Sequence, residues 1–439
     1  MASRIGLAAL LATGVALAWT VQPPGMMQNS HYALVKALAH GTPHLDRSVR
    51  ELGDLSTRET VRHDGHLYSI KAPGLAAAAA PTYRLLEAAG LRTTGDSQTM
   101  LWVLALVVCV VPALVLLVLV AWAGDRVVPG FGLPAAVTLG VGTLVLPFAP
   151  LLLSHVLVAT MLFGAFALLW HEREGGQRLV LVAAAGLLAG AAVVVEYPAG
   201  MATVILGLYA VYRSHALRRA AVYGAAALAG VAPLLAYNAW AFGSPLRLSY
   251  QVNFGAERAS DLATGAHPSA SVLVKLVFGD TGLLRLSPVL ALGVVGLVLI
   301  ARRGARAEAL VAVAIVGGFL VYASSYGASF GGFGPGPRYV VPALPFLAFP
   351  LAASFRRFPV VTSALAVVSA ATMTAIVATG TLGGYDTLWF ERLGDRAIVT
   401  TAAGFVGVTG WYTVLPLFAA VATALGLALW AVAVAFRES

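Results

Sequence analysis

The sequence predicts an all-α protein, a single bundle of about twelve membrane-spanning helices that takes up residues 1–439. Three observations support this prediction. Of the 439 residues, 59% are apolar and only 11% are charged, whereas soluble domains carry about 25% charged residues. The mean hydropathy is +0.85. Long apolar runs recur along the chain, and roughly 20 such residues are enough to cross a bilayer. These values argue against a water-soluble enzyme and a nucleic-acid-binding protein.

Twelve segments are apolar enough to span or nearly span a membrane. Several are short or contain Gly and Pro, so the segments within 131–170 and 179–212 could also be broken or re-entrant. The first segment has features of a secretory signal peptide as well, and both interpretations place the following residues on the outer side. The twelve segments are residues 5–21, 99–122, 131–150, 152–170, 179–195, 198–212, 220–242, 286–301, 308–326, 338–354, 359–380 and 411–436.

The charges of the connecting segments predict the orientation. With the amino terminus inside, the inner connectors and the two termini together hold 13 basic and five acidic residues, and the outer segments hold the other 15 basic and 14 acidic ones. Because positive residues are retained on the cytoplasmic side, we predict a plasma-membrane protein with both termini in the cytoplasm. The basic excess therefore sets topology and does not indicate nucleic acid. Polar sequence accumulates outside, in residues 22–98, 243–285 and 381–410, and we expect the active site there.

The first outer loop, residues 22–98, is predicted to contain two helices on the membrane surface. Asn29 and Ser30 can cap the first of these, since their side chains accept hydrogen bonds from first-turn amides. Its apolar side chains have helical spacing up to Gly41, with Lys36 on the opposite, polar side. The run Leu75–Ala80, which Pro81 interrupts, predicts the second surface helix.

The segment from His63 to Gly74 places titratable side chains directly before an apolar run. Lys71, at the boundary of water and membrane, can hold an anionic group such as a lipid phosphate, or its stem can simply extend through the interface. His63 and His66 flank Asp64 and could bind a divalent metal. No fourth ligand is evident, and the chemistry considered below requires no cofactor.

Three local motifs give the chain a family resemblance. They are the tyrosine-containing helix at 30–34, the segment Tyr68-Ser69-Ile70-Lys71-Ala72-Pro73-Gly74 and the glycine- and proline-rich run at 331–339 that ends in Pro337-Arg338-Tyr339. With the predicted topology, these motifs resemble the GT-C glycosyltransferases, polytopic enzymes that take a sugar from a polyprenyl-phosphate carrier on the outer side of the membrane. The resemblance includes the bacterial mannosyl and aminoarabinose transferase-like families. It implies that Lys71 binds the donor phosphate and that Arg338 lines the same cavity. Arg285 is a further cation that could stabilise the departing phosphate.

One position departs from the family pattern. Many bacterial relatives carry Asp-Glu just before the helix tyrosine, and that aspartate is the base that the resemblance implies. This chain has Gln28-Asn29 there, and an amide cannot accept the proton. The candidates for the base are therefore Asp54, Asp46 and Asp64, of which Asp54 is favoured because it lies between short apolar residues.

Five further residues are predicted to line the cavity. Polar groups at membrane depth are costly and so indicate function; His155 begins a predicted span, and Glu196 lies between two apolar runs. Each also has a structural interpretation, as a boundary histidine and a solvated turn residue. His66, Tyr68 and Tyr250 complete the set, because aromatic rings pack against sugar faces.

These observations predict a glycosyltransferase that moves a monosaccharide from a polyprenyl-phosphate donor to a cell-envelope glycan, lipid or protein. The resemblance implies a direct displacement that inverts the anomeric carbon. Two alternatives stay open: a transporter or flippase of lipid-linked saccharides, which needs the cations but no base, and a noncatalytic assembly subunit that keeps the fold. The Gln28-Asn29 departure favours the second of these.

Overall fold

The computed structural model of the chain describes residues 2–52, 59–91, 97–175, 178–212, 216–253, 267–325, 330, 334–382 and 387–437. Most of these residues are helical, as expected for apolar sequence that must satisfy its backbone hydrogen bonds without water. The helices up to residue 242 are α1 (Ala2–Ala18), α2 (Met26–Ala39), α3 (Asp46–Leu52), α4 (Gly74–Ala88), α5 (Ser97–Ala105), α6 (Val111–Val127), α7 (Gly132–Gly142), α8 (Val145–Phe148), α9 (Ser154–Glu174), α10 (Leu179–Val195), α11 (Ala199–Val211) and α12 (Ala216–Phe242).

A π-helical turn at Leu106–Val110 joins α5 to α6. Single turns of 3-10 helix occur at Arg338–Ala343, Ala402–Val406 and Trp411–Val414. The helices after residue 242 are α13 (Ser249–Asn253), α14 (Ala270–Phe278), α15 (Leu283–Leu286), α16 (Leu290–Arg302), α17 (Arg306–Ser325), α18 (Leu344–Ala348), α19 (Leu351–Arg357), α20 (Pro359–Thr379), α21 (Trp389–Gly394) and α22 (Leu415–Arg437).

Six helices in the described part of the chain are long and apolar enough to cross a membrane, or up to eight if two bent pairs each count as one span. The protein is thus a helical membrane protein, but the predicted count of about twelve is not confirmed. The other predicted spans are shorter: at 1.5 Å per residue a helix such as α7 reaches only about 16 Å, against about 30 Å of hydrocarbon. The six long helices are Gln98–Val127, Ser154–Glu174, Ala216–Phe242, Arg306–Ser325, Pro359–Thr379 and Trp411–Arg437.

The two bent pairs break where a proline interrupts the helix. Ala270–Leu286 meets Leu290–Arg302 at 92°, and Arg338–Ala348 meets Leu351–Arg357 at 51°. Pro288 and Pro350 lie in these breaks, and proline both lacks the N–H and clashes with the preceding turn. The predicted spans 286–301 and 338–354 are therefore parts of bent segments.

Two short antiparallel sheets accompany the predominantly helical fold. Strands β1 (Thr20–Val21) and β4 (Thr400–Thr401) pair, joining the end of α1 to the third predicted outer segment. Strands β2 (Thr60–His63) and β3 (His66–Ser69) form a hairpin in the first outer loop. Its turn residues Asp64 and Gly65 have φ values of 46° and 84°, and a two-residue turn with positive φ at both positions is what an Asp-Gly pair favours.

The first predicted surface helix is in fact buried. Helix α2 begins at Met26 with Gly25 as its cap, so Asn29 and Ser30 lie inside the helix and do not cap it. Lys36, expected on a polar face, is only 1% exposed and its Nζ lies 2.6 Å from the Glu51 carboxylate. Packing therefore surrounds the whole helix, and an ion pair compensates the buried amine.

The second predicted surface helix is longer than expected. Helix α4 runs from Gly74 to Ala88 and continues through Pro81. It packs against α2, with the rings of Tyr32 and Tyr83 in edge contact at 6.1 Å. Because both helices bury side chains against each other, the first outer loop is a packed layer that covers one end of the helical bundle.

Candidate functional site

A cavity of about 290 Å³ lies where the first outer loop meets the helical bundle. Most of its lining comes from segments that begin or end at helix termini. Five of its lining residues carry titratable polar groups that matter for the chemistry below: His31, Lys71, His155, Glu196 and Arg338. The tyrosines Tyr197, Tyr250, Tyr322 and Tyr339 also line the cavity.

Lys71 reaches this cavity from the junction of β3 and α4. Its side chain is largely buried, and its Nζ lies 2.8 Å from a carboxylate oxygen of Glu59. The hairpin explains this contact, because the backbone N–H of Ile70 donates to the carbonyl of Glu59 and so aligns the two segments. An ammonium has three donors, so Lys71 can contact Glu59 and an anion in the cavity together.

Gly74 brings the Lys71 segment against the turn that carries Glu196. A side-chain carbon on Gly74 would lie 2.6 Å from the carbonyl carbon of Val194, closer than real contacts allow. Only glycine therefore permits α4 to begin directly against the end of α10. This close approach places Lys71 and Glu196 in the lining of one cavity.

Arg338 lines the cavity at the start of the 3-10 helix Arg338–Ala343. Its residue is 5% exposed, and its guanidinium contacts the ring of Tyr339 at 5.3 Å and the sulfur of Met27. Its Nε makes no hydrogen bond, and within the described residues no carboxylate pairs with it. A buried guanidinium with unused donors is a binding group for an anion.

Gly336 sets the direction in which Arg338 enters. Its φ is +99°, a conformation that residues with a side chain rarely adopt, and an added side-chain carbon would meet Leu286 at 2.7 Å. The glycine- and proline-rich run therefore forms a tight approach to α15 before the arginine. The path of the backbone into Arg338 therefore depends on glycine at position 336.

Glu196 and His155 form a hydrogen-bonded pair in the lining of the cavity. His155 Nδ1 lies 3.1 Å from both carboxylate oxygens of Glu196, and Ser154 Oγ donates to the same carboxylate at 3.2 Å. The pair joins the start of α9 to the turn between α10 and α11. A carboxylate at one ring nitrogen orients the imidazole and leaves the other nitrogen available for proton transfer.

His31 lies on α2 among these cations. Burial lowers the pKa of His31 well below its usual value, and the nearby charges of Lys71, His155 and Arg338 add to the effect. Its Nδ1 makes no hydrogen bond in the described part of the chain. His31 is therefore neutral at physiological pH and adds a polar surface without adding charge.

A second group of titratable residues lies beside the hairpin. His44, Asp46 and His66 hold one ligand atom each within 4.8 Å of one another, which makes them the residues that could hold a divalent metal. Asp46 Oδ2 lies 3.1 Å from His44 Nδ1 and 2.6 Å from His66 Nδ1. The predicted metal site was His63, Asp64 and His66, and only His66 is part of the observed group. His63 and Asp64 contact each other instead.

The environment of Asp46 makes it a weak base. Burial by itself raises its pKa, but hydrogen bonds from His66 and from the backbone N–H of Leu67 outweigh burial and hold the pKa below its ordinary value. The lining residues of the cavity do not include Asp46. Its geometry is that of a residue that stabilises the loop.

The other predicted site residues that the structure describes do not line the cavity. Asp54 lies outside the described residues. Asp64 is at the hairpin tip with its side chain 84% exposed, and Arg285, 63% exposed, pairs with Asp280. His66 contacts Asp46, and Tyr68 packs against Phe242 with ring centroids 5.2 Å apart. His66 and Tyr68 are therefore not among the residues that line this cavity.

Of the predicted residues, the structure brings Lys71, Arg338, His155, Glu196 and Tyr250 to one cavity. Two residues beside them, Glu59 and His31, were not predicted. The Asp-Gly turn signal fixes the hairpin register and so places Glu59 next to Lys71, which makes this contact accessible from sequence. His31 gives no such signal, because its burial depends on the packing of the whole loop.

Neither a protein-family model nor a curated protein sequence matches this chain. Solved structures do match. The crystal structure of ArnT from Cupriavidus metallidurans bound to undecaprenyl phosphate is similar over 99% of this chain and 76% of that chain, with 15% identity and a TM-score of 0.59. The apo structure of the same protein has a TM-score of 0.52 at 16% identity, over the same shares of the two chains. The chain has the fold of these structures.

The archaeal relative with this fold extends the comparison. The apo oligosaccharyltransferase of Archaeoglobus fulgidus matches 90% of this chain with 12% identity and a TM-score of 0.50. The chain spans 57% of the length of that protein. These matches confirm the fold that the sequence resemblance implies.

Proposed function

We propose that this chain is a membrane glycosyltransferase that transfers a sugar from a polyprenyl-phosphate donor to a hydroxyl of a cell-envelope glycan, lipid or protein. One observation supports the proposal: two cations, Lys71 and Arg338, line the same cavity as the hydrogen-bonded residues His155 and Glu196. A GT-C fold, in which ArnT binds undecaprenyl phosphate, supports it. The cavity is proposed to open on the outer side of a plasma membrane, with both termini in the cytoplasm.

The donor phosphate fits between the two cations. Arg338 offers donors that no carboxylate among the described residues uses, and Lys71 adds an ammonium from the other side. Positive groups that face the departing phosphate stabilise the negative charge that develops on it. The buried position of Arg338 increases this effect, because few waters screen it.

The acceptor hydroxyl needs a base. We assign this role to His155, with Glu196 as its positioning residue, since Glu196 is the carboxylate in the cavity lining and it contacts His155 Nδ1. The acceptor oxygen attacks the anomeric carbon, the bond between that carbon and the phosphate oxygen breaks, and the acceptor proton moves to His155. Polyprenyl phosphate leaves, and the anomeric carbon is inverted. The reaction as proposed uses no cofactor.

Transfer of labelled sugar from a polyprenyl-phosphate donor to envelope acceptors tests the proposal. Lys71→Met and Arg338→Met are expected to lower transfer by about 100-fold or more, whereas Arg285→Met, which removes an exposed arginine outside the cavity, is the matched control. Retained transfer by Lys71→Met and Arg338→Met contradicts the phosphate assignment.

The base is tested separately. Glu196→Gln and His155→Gln are expected to lower kcat by about 100-fold or more and leave donor binding unchanged, and Asp64→Asn at the exposed hairpin tip is the control. Loss of transfer in Asp54→Asn, with normal transfer in Glu196→Gln, contradicts this assignment and identifies Asp54 as the base. Donor binding without transfer by the unaltered protein favours a noncatalytic subunit, and movement of intact donor across the bilayer favours a flippase.

A further inference from the structure

A second polar cavity, of about 710 Å³, lies at the opposite end of the bundle. Three helices each contribute residues to both cavities, one at either end. The 21 residues of α9 separate the two ends by about 30 Å. The two cavities therefore face opposite leaflets. The first cavity is lined by Ser154 of α9, Met201 of α11 and Tyr322 of α17. The second cavity is lined by Glu174 of α9, Tyr212, which directly follows α11, and Arg306 of α17.

This second cavity has an excess of positive charge. Four arginines line it, against the two carboxylates Glu174 and Glu308. Within the described residues, Arg303 and Arg306 have no carboxylate partner, while Arg126 pairs with Glu174. An anion is the ligand that this charge balance favours.

Arg173 is a largely buried cation in the lining of this cavity. Its side chain is 9% exposed, and the guanidinium lies against the rings of Tyr209 and Tyr212 at 4.5 and 5.4 Å. Its Nη1 is buried and makes no hydrogen bond, because Glu308 is 3.6 Å away and already accepts the Tyr209 hydroxyl at 2.6 Å. A fixed guanidinium with an unsatisfied donor matches the geometry of a phosphate oxygen.

An apolar groove of about 400 Å³ runs from this cavity between α16 and α17. Arg306 lines both the groove and the polar cavity. The rest of the groove is apolar except for Arg302, and its outer residues, including Val298, Leu310 and Val313, are exposed. A basic cavity that continues into an apolar groove has the shape and charge pattern of a headgroup beside its acyl chain.

We propose that this cavity binds the phosphate of an anionic phospholipid from the leaflet opposite the sugar-transfer cavity, with one acyl chain in the groove between α16 and α17. The phosphate accepts hydrogen bonds from Arg173, Arg303 and Arg306. The lipid thereby joins the ends of α9, α16 and α17, and two of these helices, α9 and α17, carry His155 and Tyr322 at the first cavity. The proposal does not depend on the sugar-transfer reaction.

Native mass spectrometry of the delipidated full chain, with phosphatidylglycerol or phosphatidylcholine added back, tests the headgroup. The unaltered protein is expected to retain phosphatidylglycerol preferentially. The double variant Arg303→Gln/Arg306→Gln should bind it about tenfold more weakly, while the control Arg218→Gln/Arg357→Gln, which removes two exposed arginines elsewhere, should bind it normally. Equal retention of the two lipids, or an equal loss in both double variants, overturns the proposal.

The groove distinguishes a lipid from a free phosphate. Val313→Trp is expected to weaken phosphatidylglycerol retention, because the indole fills the groove. Inorganic phosphate at matched concentration should neither displace the lipid nor raise the thermal unfolding midpoint as far as the lipid does. Full displacement by inorganic phosphate, with no effect of Val313→Trp, overturns the lipid assignment and identifies a free-anion site.

Discussion

The side-chain amide of Gln28 is hydrogen-bonded to the backbone of Leu152: Gln28 Oε1 accepts the Leu152 N–H at 3.0 Å. The same amide donates through Nε2 to the carbonyl of Pro23 at 3.1 Å. Leu152 lies two residues before α9, which carries His155. At the position where the family resemblance implies an aspartate, this chain thus has a structural amide that ties α2 to the start of α9.

We expect Gln28→Ala to destabilise the protein. The change leaves the buried N–H of Leu152 without a partner, which costs about 1–3 kcal/mol. Gln98→Ala is the matched control, because Gln98 makes a single longer hydrogen bond, 3.4 Å to the carbonyl of Val21. Denaturant unfolding in detergent measures both variants, and an equal loss of free energy of unfolding in the two contradicts the structural role of Gln28.

His31 should make stability depend on pH. Burial lowers the pKa of His31 in the folded chain below the ordinary 6.5. As the pH falls below about 6.5, His31 therefore binds a proton in the unfolded chain before it does so in the folded chain. The stability contributed by neutral His31 is therefore complete above pH 6.5 and decreases as the pH falls below it. Unfolding midpoints between about pH 7.5 and 5.5 should fall less in His31→Gln than in the unaltered protein.

His171 provides the comparison for this pH experiment. It lies exposed at the other end of α9, with Nδ1 3.4 Å from a donor nitrogen of Arg126. His171→Gln is expected to keep the pH dependence of the unaltered protein. If His31→Gln retains the full dependence as well, another group is responsible for it.

Asp46 is expected to support the loop and not the reaction. Asp46→Asn weakens its contacts with His44, His66 and the Leu67 N–H, so the free energy of unfolding should fall by about 1–2 kcal/mol. Sugar transfer by the folded variant should match the unaltered rate, since Asp46 does not line the cavity.

A chelator applied to the unaltered protein should likewise leave transfer intact, because the proposed reaction uses no metal. The measurement is the transfer rate before and after treatment, with zinc added back in a third sample. A rate that falls with chelator and recovers with zinc contradicts this expectation and assigns a functional metal to His44, Asp46 and His66.

Arg219 and Glu172 form a buried ion pair inside the bundle. Two parallel hydrogen bonds of 2.6 Å join the guanidinium to the carboxylate, and Arg219 Nε also donates to the carbonyl of Ala210. Arg219→Met leaves Glu172 as an uncompensated buried charge, which costs about 3–5 kcal/mol. In a double-mutant cycle with Glu172→Met, the double variant should be more stable than the sum of the single losses implies, and additive losses contradict the pairing.

The sequence by itself determined that this is a helical membrane protein, and it identified the two cations to which the proposed function assigns the donor phosphate. Apolar runs must form helices in a bilayer, and the segments around Lys71 and Arg338 carried enough local pattern to indicate both the GT-C resemblance and the phosphate-binding role. The hairpin was within reach too, because the Asp64-Gly65 pair is a local signal.

Only the tertiary structure decided which acids and cations share a cavity. Lys71 and Arg338 are 267 positions apart, and their meeting depends on Gly74 and Gly336, which allow close backbone approaches that no local pattern encodes. The same packing left Arg285 and Asp64 in solvent and brought Glu196 to His155. Periodicity and local motifs reveal which side chains are costly to bury, but the partner that compensates each of them is set by contacts between distant segments.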